Sequence, residues 1–225
     1  MNRSSTNWDF TITESISCPN CCNFPKEFTY HVGNSFSDIS VTNIFYPFIE
    51  NIFHHGISSG CSTTNYCPLQ KLTREQIAKF LYLLLHRKQP TSCNPLICDA
   101  IFEDIGKENI FCPYAEKLFK MQITSGCEEI PLYFCPSSYV TRQELAKLLC
   151  LTMESIKPGS CQLQPCSQIF DDVPDSNPYC SYIEALYNIN ATSGCFTDPQ
   201  LFCPNSLATR EQMAFFSNFA LQLSD

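Results

Sequence analysis

The chain has 225 residues, of which 44% are hydrophobic and 16% charged, enough apolar material for a substantial core. A formal net charge of -8 argues against nucleic acid and acidic membrane surfaces as partners, and no apolar run is long enough to span a bilayer. Sixteen cysteines read as disulfides and an oxidising, extracytosolic compartment; zinc would need Cys and His grouped in fours, and only four His are present.

Met1-Asn2-Arg3 leads into the polar Ser4-Ser5-Thr6-Asn7, so no secretory signal is read there. An extracellular chain of this kind is expected to be a piece of a larger secreted protein. Cys18-Pro19-Asn20-Cys21 has the spacing of a redox pair. No βαβ pattern surrounds it, and a structural role is the expectation. Residues 1–33 form a cysteine-containing extension outside the pattern that follows.

From there the chain repeats. Cys93, Cys98, Cys112, Cys127 and Cys135 recur 68 residues later as Cys161, Cys166, Cys180, Cys195 and Cys203. Thr73-Arg74, Thr141-Arg142 and Thr209-Arg210 keep the same offset. Three repeats are read, at 34–90, 91–158 and 159–225; a fixed period of this kind decides the architecture. Each opens on a Phe with an Asp two residues on: Phe36/Asp38, Phe102/Asp104, Phe170/Asp172.

A first helix follows in each repeat. Its apolar stripe is Ile44, Phe45, Phe48, Ile49, Ile52, Phe53 in repeat 1. It is Phe111, Tyr114, Ala115, Leu118, Phe119 in repeat 2, and Tyr179, Ile183, Leu186, Tyr187 in repeat 3. The spacing describes one buried face. Pro47 and Pro113 suit a first turn, where a missing N–H costs nothing. Gly56, Gln122 or Asn190 ends the helix, a place for a left-handed residue.

A loop then runs from Ser59-Gly60-Cys61, Ser125-Gly126-Cys127 or Ser193-Gly194-Cys195 to Tyr66-Cys67-Pro68, Phe134-Cys135-Pro136 or Phe202-Cys203-Pro204. Bridges Cys61–Cys67, Cys127–Cys135 and Cys195–Cys203 are expected, each giving ~2–3 kcal/mol by closing a short loop. Repeat 1 lacks counterparts of both Cys98 and Cys112, so these are read as partners, and Cys166–Cys180 likewise. Cys18, Cys21, Cys22, Cys93, Cys150 and Cys161 remain open, with fifteen possible pairings.

The second helix starts at Thr73, Thr141 and Thr209, where Thr-Arg-Glu-Gln76, Thr-Arg-Gln-Glu144 and Thr-Arg-Glu-Gln212 fit a capping box. Ala78, Ala146 and Ala214 share one position and suggest close helix approach. A two-helix unit cannot bury its own face, so the units must pack together. The fold class expected is all-α: three helix-loop-helix units in a pseudo-threefold assembly stapled by disulfides.

Arg74, Arg142 and Arg210 stand at first helical positions, against the helix dipole, at a cost of ~0.3–1 kcal/mol. They make sense if each faces an anion together with free N–H groups. That anion is either a carboxylate such as Asp38, Asp104 or Asp172, or an acidic ligand. Asp171-Asp172-Val-Pro-Asp175-Ser-Asn177 is oxygen-rich but lacks a spaced calcium loop. His54-His55 does not recur. No catalytic triad, phosphate loop, cofactor motif or metal set stands out, and a threefold-repeated site suits avid binding of a repetitive polymer.

The shared residues resemble the S-layer homology (SLH) repeat. The resemblance rests on Phe36-Ser-Asp38, Gly56-Ile57, Gly60, Tyr66-Cys-Pro68 and Leu72-Thr-Arg-Glu-Gln76, with Phe102/Asp104, Val140-Thr-Arg-Gln-Glu144, Phe170/Asp172 and Ala208-Thr-Arg-Glu-Gln212. It covers about residues 36–223. It implies a three-pronged spindle and non-catalytic, non-covalent attachment of a surface protein to cell-wall polysaccharide, acidic or pyruvylated. Arg74, Arg142, Arg210, Gly60, Gly126 and Gly194 are the ligand-binding positions it implies. Glu occupies the fourth motif position only at Glu144, and the bridged loops mark a cysteine-rich branch. The alternative is a structural or protein-assembly module with the arginines as internal ion pairs.

Overall fold

A computed structural model describes residues 9–14, 26–31, 34–88 and 96–222. Among these residues six helices carry the repeats: α1 (Tyr46–His54), α2 (Arg74–Lys88), α3 (Cys112–Lys120), α4 (Arg142–Ile156), α5 (Cys180–Asn188) and α6 (Arg210–Leu221). The expectation of an all-α fold is overturned, because antiparallel hairpins accompany them. β1 (Asp9–Glu14) pairs with β2 (Lys26–His31), Asp9 opposite His31 and Glu14 opposite Lys26. β3 (Glu128–Glu129) pairs with β4 (Leu132–Tyr133), and β5 (Phe196–Thr197) with β6 (Gln200–Leu201).

The strands have local causes. Phe10 and Ile12, and Phe28 and Tyr30, alternate with polar residues at period two, a strand signal in segments too short for a helix. The bridged loops Cys127–Cys135 and Cys195–Cys203 span eight residues, against six for Cys61–Cys67. The two extra residues leave length for a two-residue strand on each side of a turn. The shorter loop of repeat 1 holds no strand pair.

The helix ends follow the residues at them. Pro47 and Pro113 lie in the first turns of α1 and α3. Just before these helices and α5, Asn43, Asn109 and Asn177 accept the N–H groups of Phe45, Phe111 and Tyr179 through Oδ1. Beyond the same helices Gly56, Gln122 and Asn190 take φ of 69°, 61° and 59°. The N–H groups of Ile57, Ile123 and Ala191 then reach back to the carbonyls of Ile52, Leu118 and Leu186, which closes each helix. Both halves of the capping box form at Thr141 and Thr209. At Thr73 only Gln76 reaches back, and the buried Thr73 hydroxyl has no partner.

Helices pack between repeats: α2 on α3, α4 on α5, and α6 back on α1, with α2 also against α4 and α6. The backbone before the second helices forms a closed ring. Leu72 N–H donates to Ala208 O at 3.1 Å, Ala208 N–H to Val140 O at 2.9 Å, and Val140 N–H to Leu72 O at 3.1 Å. Leu72, Val140 and Ala208 are wholly buried there, so their N–H and carbonyl groups must find protein partners. Phe36, Phe102 and Phe170 anchor each repeat, buried edge-on against Phe53, Phe119 and Tyr187. Each contributes about 2–3 kcal/mol of burial. No helix among the described residues is long and apolar enough to cross a membrane.

Candidate functional site

The aromatic-Cys-Pro loop ends are gripped from two sides. Within the repeat, the Asp38 carboxylate accepts the N–H groups of Tyr66 and Cys67, both at 2.7 Å. Asp104 does the same for Phe134 and Cys135, and Asp172 for Phe202 and Cys203. Cys67, Cys135 and Cys203 sit at φ of 58°, 56° and 59°, which costs each about 1 kcal/mol. The paired charge-assisted hydrogen bonds offset that strain.

From the preceding repeat comes the arginine. Arg74 Nε donates to Phe134 O at 2.7 Å, Arg142 Nε to Phe202 O at 2.9 Å, and Arg210 Nε to Tyr66 O at 2.8 Å. Each guanidinium also lies over the ring of the residue it bonds, 5.1, 4.7 and 4.9 Å from its centroid. Among the described residues none of these arginines forms an ion pair with a carboxylate. The helix-start N–H groups are occupied too. Arg74 and Glu75 donate to Ser138 O and Pro136 O, Arg142 and Gln143 to Ser206 O and Pro204 O, and Arg210 and Glu211 to Gln70 O and Pro68 O. Carbonyls of the neighbouring repeat supply the partial negative charge that a helix start attracts.

Burial pulls the pKa of all three guanidinium groups down. Nearby carboxylates oppose it: Glu144 and Asp104 at Arg74, Asp172 at Arg142, and Asp38 at Arg210.

Another carboxylate recurs, and sequence reasoning missed it. Glu50, Glu116 and Glu184 follow the repeat Asp by twelve residues each time. Glu116 accepts the N–H groups of Asp99 and Ile101, Glu184 those of Ser167 and Ile169, and Glu50 that of Ser35. Burial works to raise the pKa of Glu184, but the bonds from Ile169 and Ser167 outweigh it and hold the carboxyl below its ordinary value. The constant spacing was the signal available.

The structure joins Cys61–Cys67, Cys98–Cys112, Cys127–Cys135, Cys166–Cys180 and Cys195–Cys203, as the spacing predicts. It also joins Cys150–Cys161, left open by sequence. Cys18, Cys21, Cys22 and Cys93 lie outside the described residues. The Cys98–Cys112 and Cys166–Cys180 sulfurs rest against Glu116 and Glu184; a bridged sulfur is not a thiolate ligand. In the oxygen-rich stretch Asp172 holds its own repeat's loop, and Asn177 donates to Gln143 of the preceding repeat and accepts the Tyr179 N–H. His54 stands 3.6 Å from Glu50.

Gly60, Gly126 and Gly194 take φ of 84°, 87° and 93°. A side chain there would strike the carbonyl oxygens of Asn65, Tyr133 and Leu201, so loop closure alone requires glycine.

Grooves open where loop, second helix and the neighbour's arginine meet. One of about 430 Å³ joins Gly60, Ser59, Gln76, Lys79, Phe111 and Arg210. One of about 260 Å³ joins Gly194, Thr192, Phe45, Phe48, Phe215 and Arg142. A separate space of about 10 Å³ beside Arg74, among Ile77, Leu81, Leu118 and Leu148, is not the counterpart of these grooves. Thus each of two predicted arginines meets a predicted glycine across a repeat boundary. No protein-family model and no curated protein matches the chain.

Proposed function

We propose that the protein is a non-catalytic surface-anchoring module that binds cell-wall polysaccharide in the grooves between its repeats. The observation that carries this is the groove of about 430 Å³ holding Arg210, an arginine 5% exposed that pairs with no carboxylate among the described residues. A buried cation beside aromatic walls and small polar residues suits an acidic sugar. The second groove supports the same reading, since the buried Nη2 of Arg142 has no hydrogen-bond partner. The SLH resemblance points to the same arginines and glycines. The disulfides accord with an oxidising, extracytosolic setting, and the cell wall is the location proposed within it.

A second reading, a scaffold or assembly module, is favoured by the arginine bonds to neighbouring carbonyls, which tie repeat to repeat. Arg→Ala changes therefore disturb folding as well as any site. The test is retention of the oxidised protein on purified wall polysaccharides, run beside a Gln76→Glu/Gln212→Glu variant. Glu144 fills the same capping role in α4, so the variant keeps the fold while adding a negative charge to each open groove. Retention weakened about tenfold with an unchanged melting temperature supports groove binding. No retention of the unmodified protein leaves the scaffold reading.

A further inference from the structure

The six bridges among the described residues differ in what faces their sulfurs. Glu116 Oε1 lies 3.7 and 3.5 Å from the sulfurs of Cys98 and Cys112, and Glu184 Oε1 lies 3.6 Å from those of both Cys166 and Cys180. Both carboxylates are buried. The N–H groups of Asp99, Ile101, Ser167 and Ile169 fix them against the sulfur pairs. Asp104 and Asp172 likewise place an oxygen within 4.8 Å of both sulfurs of Cys127–Cys135 and Cys195–Cys203. Among the described residues no carboxylate stands in that relation to Cys61–Cys67 or Cys150–Cys161. The latter is protected in another way, since Cys150 and Cys161 are buried. Cys61 is exposed. Its loop closes over six residues and has no strand pair to hold the two sulfurs together once they part.

A carboxylate beside a disulfide slows thiol exchange in two ways. It repels the attacking thiolate, and by like charge it raises the pKa of the thiol that must leave. Burial adds a barrier of access. We infer that Cys61–Cys67 is the redox-sensitive bridge of this chain, opened by a low-molecular-weight thiol while the carboxylate-backed and buried bridges stay closed. One reagent thiolate attacks Cys61 Sγ, forming a mixed disulfide, and Cys67 leaves as a thiolate that takes up a proton. A second reagent thiolate attacks the reagent sulfur of the mixed disulfide and expels Cys61 in the same way. The protein pair is reduced to two thiols, and two reagent thiols are oxidised to one disulfide. Cys61 lines the groove of about 430 Å³ with Gly60 and Arg210, so the opening acts on a wall of that groove. This holds whatever the groove binds.

The test is staged reduction of the intact oxidised protein by cysteamine, a cationic thiol, and by mercaptoethanesulfonate, an anionic one, at equal thiolate concentration. Freed thiols are alkylated and mapped by mass spectrometry. Cys61–Cys67 should open first among the six bridges with either reagent, about tenfold ahead of Cys127–Cys135. That comparison matches exposure, because Cys61 and Cys127 are both exposed. Exchanging the anionic for the cationic thiol should speed Cys127–Cys135 about fivefold more than Cys61–Cys67. The net charge of the chain acts on both bridges and cancels in that ratio. In Glu184→Gln, Cys166–Cys180 should open faster and its preference for the cationic thiol should fall, with Cys98–Cys112 in the same molecule as the unchanged reference. Faster opening with an unchanged preference would make Glu184 a structural residue only and overturn the carboxylate account. Release of Cys127–Cys135 or Cys195–Cys203 as early as Cys61–Cys67, or one reagent preference at all bridges, overturns the assignment of Cys61–Cys67.

Discussion

Arg142 shows how one side chain serves two purposes. Its Nε is spent on Phe202 O and its plane on the Phe202 ring, while Nη2 is buried beside a groove with no partner. Replacing it by alanine leaves the Phe202 carbonyl unsatisfied, at a cost of about 1–3 kcal/mol. For a domain of this size the melting temperature should fall by roughly 2–4 °C per kcal/mol. Arg142→Lys should not recover the loss, because an ammonium cannot both donate from the Nε position and stack flat on the ring. Thermal denaturation of the two variants beside the unmodified protein checks this; full stability in Arg142→Ala would show that the tie carries no weight. The position of the arginine against the helix dipole was legible in sequence. Its acceptor was not, since a carbonyl sixty residues away leaves no mark on composition or spacing.

At the level of elements, the loops depend on glycine for steric reasons that hold whether or not a ligand binds. Gly194→Ala would drive a methyl group into the Leu201 carbonyl at positive φ, and should cost at least ~2 kcal/mol. Gly106→Ala has open space and an ordinary φ, and should stay within about 0.5 kcal/mol. Chemical denaturation of both measures the contrast; equal, small effects would mean the loop relaxes freely around a side chain. Helix ends were largely readable from sequence, because Gln122, Asn190, Pro113 and Thr141 act on their own backbone neighbourhood. The short strands were not, because β3 and β4 are two residues each and sit inside the loop that Cys127–Cys135 bridges, where no periodic pattern can mark them.

Across the whole molecule, the ring of backbone bonds and the packing of α1 on α6 make the first and last repeats neighbours. A chain cut after residue 158 therefore loses the α6 face that covers α1. It also loses the Ala208 link between Leu72 and Val140, and the Phe202 acceptor of Arg142. Such a two-repeat piece should show no cooperative thermal transition and should be cleaved rapidly by protease, whereas repeats that stack linearly would lose only one interface. A sharp, protease-resistant transition in the piece would mean that ring closure is dispensable.

Sequence alone determined the features that act over a few residues or recur at a fixed period. These are three units, their helix starts and stops, five of the bridges, and an arginine and a glycine of special standing in each unit. It misjudged the fold class by passing over strands that depend on loop length and on an alternating terminal segment. Only the tertiary structure decided which groups meet. It placed Arg210 on Tyr66, Arg74 on Phe134 and Arg142 on Phe202. Those contacts cross repeat boundaries, and a periodic sequence carries no mark of which neighbour each unit will face until the ring closes.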